Sequence, residues 1–570
     1  MNFAHRNLFV FILAACFVCT APQDGLSFHN VTTPVLTAFL LAYPIRLLPN
    51  RLQSFFGLLL GETVMAVCLV DCYCQIYFDS PITPQMLKIV LQTNTHETRE
   101  FLSTFVSGYI IFKWRIILLL LLAILLPLSL FYKWNLPIKE NKIWRIASIV
   151  CLTTCIIVEI PVTYRYAQLF LQQKNLKDVE GLIFRHYHEA LPTSVHRLAF
   201  AYYASNLSAD ILDGIKHSTY FADIDSCSYQ SSHIVLIIGE SYNKHHSSLY
   251  GYHLKTAPLQ QQREANGELF PYTDAVTSWN ITSNVFLDVF SLWEHEQERA
   301  ITDYPLFPIL FRRAGYAVNF FSNQYLLKGF RKGSTNQAGH FFLADAEMSD
   351  SLFSYRNRKS KTFDMGLVSQ ISDYKNRQSG QAYTLDIIHL IGQHFEYAMR
   401  YPQAQAKFTL KDYADRTISD EAKEIVMHYD NATRYDDMVL DSLLSLYSQE
   451  EAIVVFIADH GEEVYDGLPM HGRSFQDPTA IQARQEFEVP MWIWCSESYR
   501  NSHPEIMSSI NASLKKPFMT DGIPQILLWL AGIKCRWMDV KRNLLSPHYQ
   551  CKKRVIAGTT DYDDLMRSTR

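Results

Sequence analysis

Hydrophobic positions fall into two regimes along this chain. Nearly all the long apolar runs lie before residue 170, whereas beyond about residue 230 short apolar runs alternate with amphipathic stretches. Five early runs, at roughly 7–22, 33–49, 54–78, 111–132 and 144–163, read as membrane spans, since a helix needs about 20 apolar residues to cross the hydrocarbon core. The first, LFVFILAACFVCTA, follows Arg6 and is trailed by small residues, so a cleaved signal peptide is the alternative to the retained helix expected here. Arg6, then Arg46 and Arg51, then Lys133, Lys139, Lys142 and Arg145 fall in alternate connections, which assigns those connections to the cytoplasmic side. Lys113 and Arg115 are a local exception. The fifth span then exits outward whether or not the first is cleaved. The pattern predicts a five-helix transmembrane domain over 1–163 with an outward surface loop at 79–104, a helical linker on the membrane surface over 164–225, an exported domain over 226–560 and a tail over 561–570. Glu62 and Glu159 interrupt apolar runs, where an ionisable group is costly and is a functional candidate by default.

In the exported half, His233–Gly239, Ala317–Phe321, Leu385–Leu390, Ile453–Ile457 and Val489–Trp494 are apolar without alternation, which predicts strands buried on both faces. Helical segments such as Pro305–Ala314 and Ala422–Ser448 lie between them. Strand and helix in turn predict an α/β domain built on a doubly wound, mainly parallel sheet.

Candidate chemistry gathers where these strands stop. Glu240-Ser241 follows the first, Ser322-Asn323-Gln324 the second, and Asp459-His460 the fourth, while the third carries His389 and reaches His394 just beyond its end. Parallel strands bring such ends to one edge of a sheet, where sites are built, and carboxylate with imidazole is a ligand set that zinc accepts. His471, in a Gly-rich loop, can fold back over the same edge. Thr282 precedes the apolar segment VFLDVFSLW, so its hydroxyl is expected beside helix N-terminal N–H groups that favour phosphate oxygens. Coordination to a divalent cation makes such a hydroxyl a usable nucleophile. On residue chemistry alone Ser241 and Ser283 are rivals, and a plain N-cap role is the alternative for Thr282.

Composition changes this picture little. A net charge of −4 supplies no basic field for nucleic acid. Seven of the eleven cysteines lie in or beside the apolar spans; Cys227, Cys495, Cys535 and Cys551 lie in the exported part, with Cys535 and Cys551 the expected pair.

Several stretches together resemble the bacterial membrane phosphoethanolamine transferases of lipid A and the lipopolysaccharide core, within the alkaline phosphatase and sulfatase superfamily. They are Ile238-Gly239-Glu240-Ser241 with Leu249-Tyr250-Gly251-Tyr252 and Thr256-Ala257-Pro258; His389 through His394 and Tyr397 to Arg400-Tyr401-Pro402; Tyr429-Asp430-Asn431; and Asp459-His460-Gly461-Glu462. The resemblance implies that Glu240, Asp459 and His460 bind zinc together with Thr282, the nucleophile, with one tightly bound ion and a second as an open alternative. It implies phosphate or second-metal contacts at His394 and His471, a substrate contact at Lys328, a match at His389 whose role is as readily structural, and a lipid-substrate site at Thr93 and Glu97. The implied donor is phosphatidylethanolamine, the implied acceptor an envelope glycolipid, and the implied location the inner membrane with the catalytic domain in the periplasm, acting as a monomer without nucleic acid. Departures are visible. Ser278 and Asp288 stand where the lipid A enzymes usually carry a cysteine pair, so the nucleophile loop must be held otherwise; Ile89 and Gln324 replace usual asparagines. These leave the transfer chemistry and put the acceptor in question. A phosphoglycerol transferase of the lipoteichoic acid synthase type and a non-catalytic glycan-binding protein are the other readings.

Overall fold

The structure is a computed structural model describing residues 3–20, 29–77, 82, 114–131, ten positions between 150 and 167, 193–324 without 296 and 298, 341–473 without 379, and 478–568. Thr93, Glu97, Ile89 and Lys328 lie outside the described residues. The chain divides into two compact units, with the division near Asp210.

The first unit is helical. Its described helices are α1 (Phe3–Cys19), α2 (His29–Arg46), α3 (Asn50–Tyr77) and α4 (Trp114–Phe131). At 1.5 Å per residue the 28 residues of α3 span about 42 Å, while the 17 or 18 of the other three reach only about 26–27 Å. Among the described residues one segment, Leu52–Ile76, is therefore long and apolar enough by itself to cross a bilayer, and Leu8–Cys19, Val31–Ile45 and Trp114–Leu128 are shorter apolar helices. The described positions between 150 and 167 are all helical. Arg115, the exception in the charge pattern, is buried: its Nε donates to the Cys19 carbonyl at 2.6 Å and its Nη2 to Gln75 Oε1 at 2.9 Å. A guanidinium consumed inside the helix bundle is not a loop charge. Glu159 is likewise buried and accepts hydrogen bonds from Thr32 and Thr33, whereas Glu62 is exposed. Arg197, at the start of α5 (Ser194–Tyr220), forms a fully buried ion pair with Asp71 of α3.

The second unit is built on a seven-stranded sheet. Its strands are β1 (His233–Gly239), β2 (Leu269–Tyr272), β3 (Ala317–Ser322), β4 (Tyr355–Arg356), β5 (Thr384–His389), β6 (Ala452–Ala458) and β7 (Met491–Cys495), in the order β2-β7-β6-β1-β5-β3-β4. Ile234 through Ile238 are wholly buried, as are Ala452 through Ala458. Five such side chains in β1 contribute roughly 10 kcal/mol of burial against the entropy of ordering them. The central strands are parallel, but β7 runs antiparallel to both β6 and β2. The sheet is thus mixed but mainly parallel, as expected, and the direction of the strand expected at Val489–Trp494 is settled only in the structure, because an apolar run reports burial and not direction. The edge strand β2 was not expected, because Leu269-Phe270-Pro271-Tyr272 contains a proline, which sheets tolerate at their edges.

Helices cover the sheet. Among them α6 (Thr282–Phe290) is buried at every residue, and α7 (Asp364–Arg377) precedes β5. The long α8 (Asp420–Leu446) is capped by Ser419, whose hydroxyl accepts from Ala422 N at 3.2 Å, and carries Asp420 and Glu421 in its first turn, where the helix dipole favours them. The stretch beginning at 561 carries a short helix, Tyr562–Arg567, and Tyr562 is buried against Val276, Phe487 and Ile556. Cys535 and Cys551 are both free thiols, one buried and one exposed, so the expected pair is not made; Cys551 Sγ instead lies 3.3 Å from the Lys552 carbonyl.

Candidate active site

Register sets the site. Gly239 pairs with Ala458, Ile238 with His389, and Ser322 with His389, so β1, β6, β5 and β3 finish at one level. The next residues, Glu240 and Asp459, are wholly buried side by side. The chain turns sharply after Glu240, with Ser241 at a φ of 54°. That turn aims Ser241 N at Asp459 Oδ1 (2.9 Å), which also accepts from His460 N (2.7 Å). Two backbone donors therefore hold one carboxylate oxygen, while buried Asp459 Oδ2 accepts no hydrogen bond among the described residues and lies 3.2 Å from His460 Nε2.

Thr282 opens α6 as its first helical residue, and Ile281 is the N-cap, so the capping role is not its own. Its Oγ1 lies 3.3 and 3.4 Å from the two Glu240 carboxylate oxygens and 3.2 Å from His460 Nε2. Ser241 Oγ instead donates to Glu240 Oε1 at 2.9 Å. His460 Nδ1 is 2.8 Å from the Gly461 carbonyl, which can only accept; Nδ1 therefore carries the proton and Nε2 presents its lone pair. Arg473 Nη1 donates to that nitrogen at 2.8 Å and to the Asn280 carbonyl at 3.1 Å.

Electrostatics agree with a cation site. Burial disfavours charge on Glu240, yet His389, His394, His460 and Arg473 outweigh it and hold this carboxyl well below the usual range. Burial and the Glu240 charge push Asp459 well above it. Burial, with Arg473 beside it, lowers His460 to about 3, leaving a neutral ring. Glu240, Asp459 and His460 offer ligand atoms within 4.8 Å of one another. Two crowded carboxylates, a neutral imidazole with its lone pair turned inward and an orphaned oxygen suit a zinc-type ion, which relieves the carboxylate repulsion. The Thr282 hydroxyl lies in the same cluster.

The model of the family described as Sulfatase matches residues 232–530, more than half of the chain. The chain belongs to the sulfatase family. It is 24% identical over 556 residues to the phosphoethanolamine transferase EptC of Escherichia coli K12, covering 94% of this chain and 91% of that protein. Similarity extends to EptA of Helicobacter pylori, 24% identical over 436 residues, with 75% of this chain and 74% of that protein covered. The fold matches the integral membrane lipooligosaccharide phosphoethanolamine transferase EptA of Neisseria meningitidis, with a TM-score of 0.55 at 18% identity over 95% of this chain and 98% of that one. It also matches the zinc complex of the C-terminal periplasmic domain of E. coli EptC, with a TM-score of 0.52 at 22% identity over 60% of this chain and 96% of that one.

Other expected residues of this sulfatase-family domain are placed around the cluster. Gln324 Nε2 donates to Glu240 Oε2 (2.9 Å) and to the Leu390 carbonyl (2.8 Å), and buried His389 lies 3.8 Å from the same Glu240 oxygen. Both steer the carboxylate. His394 follows a turn in which Asp364 accepts from Ile391 N and Gly392 N, and Gln393 N donates to the Glu240 carbonyl at 3.0 Å. His471 is not in the three-ligand cluster. Half-buried in a short strand pair, it stacks on Phe395, the residue after His394, at 6.0 Å, and its Nδ1 lies 3.3 Å from the Tyr465 hydroxyl. Ser278 and Asp288 meet: Ser278 Oγ donates to Asp288 Oδ2 at 2.7 Å, and His295 Nε2 reaches the same oxygen at 3.1 Å. A hydrogen-bonded clasp thus ties the two ends of the Thr282 segment together.

Sequence reasoning missed Arg473, although it lies two residues beyond His471 in the same loop. It also missed the trio of His246, Asp430 and Asp466, in which the buried imidazole bridges buried Asp430 and the more exposed Asp466 at 2.5 and 2.6 Å. Asp466 sits in the loop that carries His471 and Arg473, so this trio anchors that loop.

Proposed function

We propose that this protein is a multi-pass inner-membrane enzyme of five spans with a periplasmic catalytic domain. It transfers phosphoethanolamine from phosphatidylethanolamine to lipid A, a lipopolysaccharide core sugar or another envelope glycan. The observation that carries this reading is Thr282 Oγ1 in contact with Glu240 and His460 at the N-terminus of a buried helix. The names of relatives matching 94% of the chain support it.

Glu240, Asp459 and His460, with Thr282, would hold zinc, which lowers the pKa of the threonine hydroxyl and offsets phosphoryl charge. Thr282 passes its proton to the imidazole of His394 or His471, which burial keeps neutral, and attacks phosphorus; the Oγ–P bond forms and the P–O bond to diacylglycerol breaks. The leaving oxygen takes that proton from the imidazolium. In the second half the acceptor hydroxyl gives its proton to the neutral imidazole, its oxygen bonds to phosphorus, and the Thr282 oxygen leaves and takes that proton. Gln324 and His389 keep the Glu240 carboxylate aimed at the hydroxyl throughout.

The test is incubation of full-length protein in detergent with fluorescent phosphatidylethanolamine or phosphatidylglycerol, scoring diacylglycerol release and mapping the adduct by mass spectrometry. Release from phosphatidylethanolamine with the adduct on Thr282, lost in Thr282→Ala, is expected. Release from phosphatidylglycerol alone would assign a phosphoglycerol transferase, and an adduct surviving Thr282→Ala but lost in Ser241→Ala would overturn the nucleophile.

A further inference from the structure

We infer that Arg473 is a further catalytic residue, whose guanidinium grips the phosphoryl oxygens of the group in transfer. Three observations point this way. Arg473 Nη1 and Thr282 Oγ1 both contact His460 Nε2, at 2.8 and 3.2 Å, so a phosphorus within bonding reach of the hydroxyl is also within reach of the guanidinium. The same Nη1 donates to the carbonyl of Asn280, two residues before Thr282, which tethers the cation to the nucleophile segment itself. Finally, Arg473 is mostly buried yet makes no close carboxylate pair: among the described residues the carboxylate that approaches is Glu462, at 4.0 Å from Nε. A buried guanidinium normally completes a bidentate pair with an anion. Here that anion is supplied by a ligand.

Glu240, Asp459 and His460 converge in a small buried space, and among the described residues Arg473 brings a guanidinium to it. With Nε2 committed to a metal ion, the guanidinium would be free to bond an anionic phosphoryl group instead. Its planar fork matches two oxygens of a tetrahedral phosphoryl group; an ammonium does not.

The experiment compares full-length wild type with Arg473→Gln and Arg473→Lys in detergent. Zinc affinity is read by competition with a chromophoric chelator, inorganic phosphate binding to the zinc-loaded protein by calorimetry, and the rate of Thr282 adduct formation from phosphatidylethanolamine by mass spectrometry. Zinc affinity is expected to be unchanged or tighter in both variants, since a competing cation is removed or weakened. Phosphate binding should weaken by at least about 10-fold and the adduct rate fall by about 100-fold or more, with lysine recovering only part. Unchanged phosphate affinity would overturn the inference. So would zinc affinity falling in step with the rate, which would make Arg473 a support for His460. The donor identity rests on the proposed transferase activity, but the phosphate measurement does not: phosphate held through Arg473, without turnover of phosphatidylethanolamine, would support this inference while defeating that donor assignment.

Discussion

Gly392 links the His394 loop to a site carboxylate, and replacing it by alanine isolates that link. It adopts a φ of 42°, and a Cβ there would lie 2.8 Å from the Glu240 carbonyl oxygen and 3.0 Å from its amide nitrogen. Both atoms are backbone held in the sheet edge, so neither can rotate away. Two costs add: about 1–2 kcal/mol for a left-handed alanine and about 1–3 kcal/mol for overpacking, giving a loss of roughly 2–5 kcal/mol in the second unit. Any shift that relieves the overlap moves Glu240, so zinc affinity should fall by about 10–100-fold, as when a ligand's supporting contacts are lost. Gly251→Ala is the control: its φ is 99° and a Cβ there meets nothing within 4 Å, so it carries the backbone cost alone. Thermal unfolding and chelator-competition titrations on both variants give the two readouts. If Gly392→Ala melts alongside Gly251→Ala and keeps wild-type zinc affinity, the argument that this glycine exists to let Glu240 approach is refuted.

Three further outcomes are expected. Burial disfavours a charged His246, but Asp466 and Asp430 outweigh it and raise its pKa from the ordinary 6.5 to about 10. A raised folded-state pKa stabilises fully below pH 6.5 and loses that contribution as pH climbs through 10, on the order of a few kcal/mol; melting curves between those limits should flatten in His246→Gln, and equal slopes would contradict the charge assignment. Asp288→Ala removes the acceptor that Ser278 and His295 share and should cost about 2–4 kcal/mol, whereas Ser278→Ala should cost about 1 kcal/mol; equal losses would mean the clasp is not shared. Removing divalent ions with a chelator should lower the melting temperature of the wild type by mass action and leave that of Asp459→Asn nearly unmoved, and identical shifts would place the stabilising ion elsewhere.

How much was legible in the sequence differs from residue to residue. The run His233–Gly239 was readable to the residue and Ile453–Ile457 to within one at each end, because a strand buried on both faces admits no polar position and stops where one appears. That stop also marked Glu240 and Asp459-His460, and parallel pairing was enough to expect them together. Residue chemistry alone read Thr282 as a hydroxyl at a helix start with Ser241 and Ser283 as rivals, and the family resemblance singled it out; that its Oγ1 meets both Glu240 and His460 is a tertiary fact. Strand direction in β7, the proline-bearing edge strand β2, the Ser278–Asp288 clasp and the approach of Arg473 to His460 were decided only in the tertiary structure. Periodicity along the chain reports how each residue is solvated. It carries no record of which distant residue lies across the gap, and hydrogen-bond direction, register and charge compensation are set by that partner.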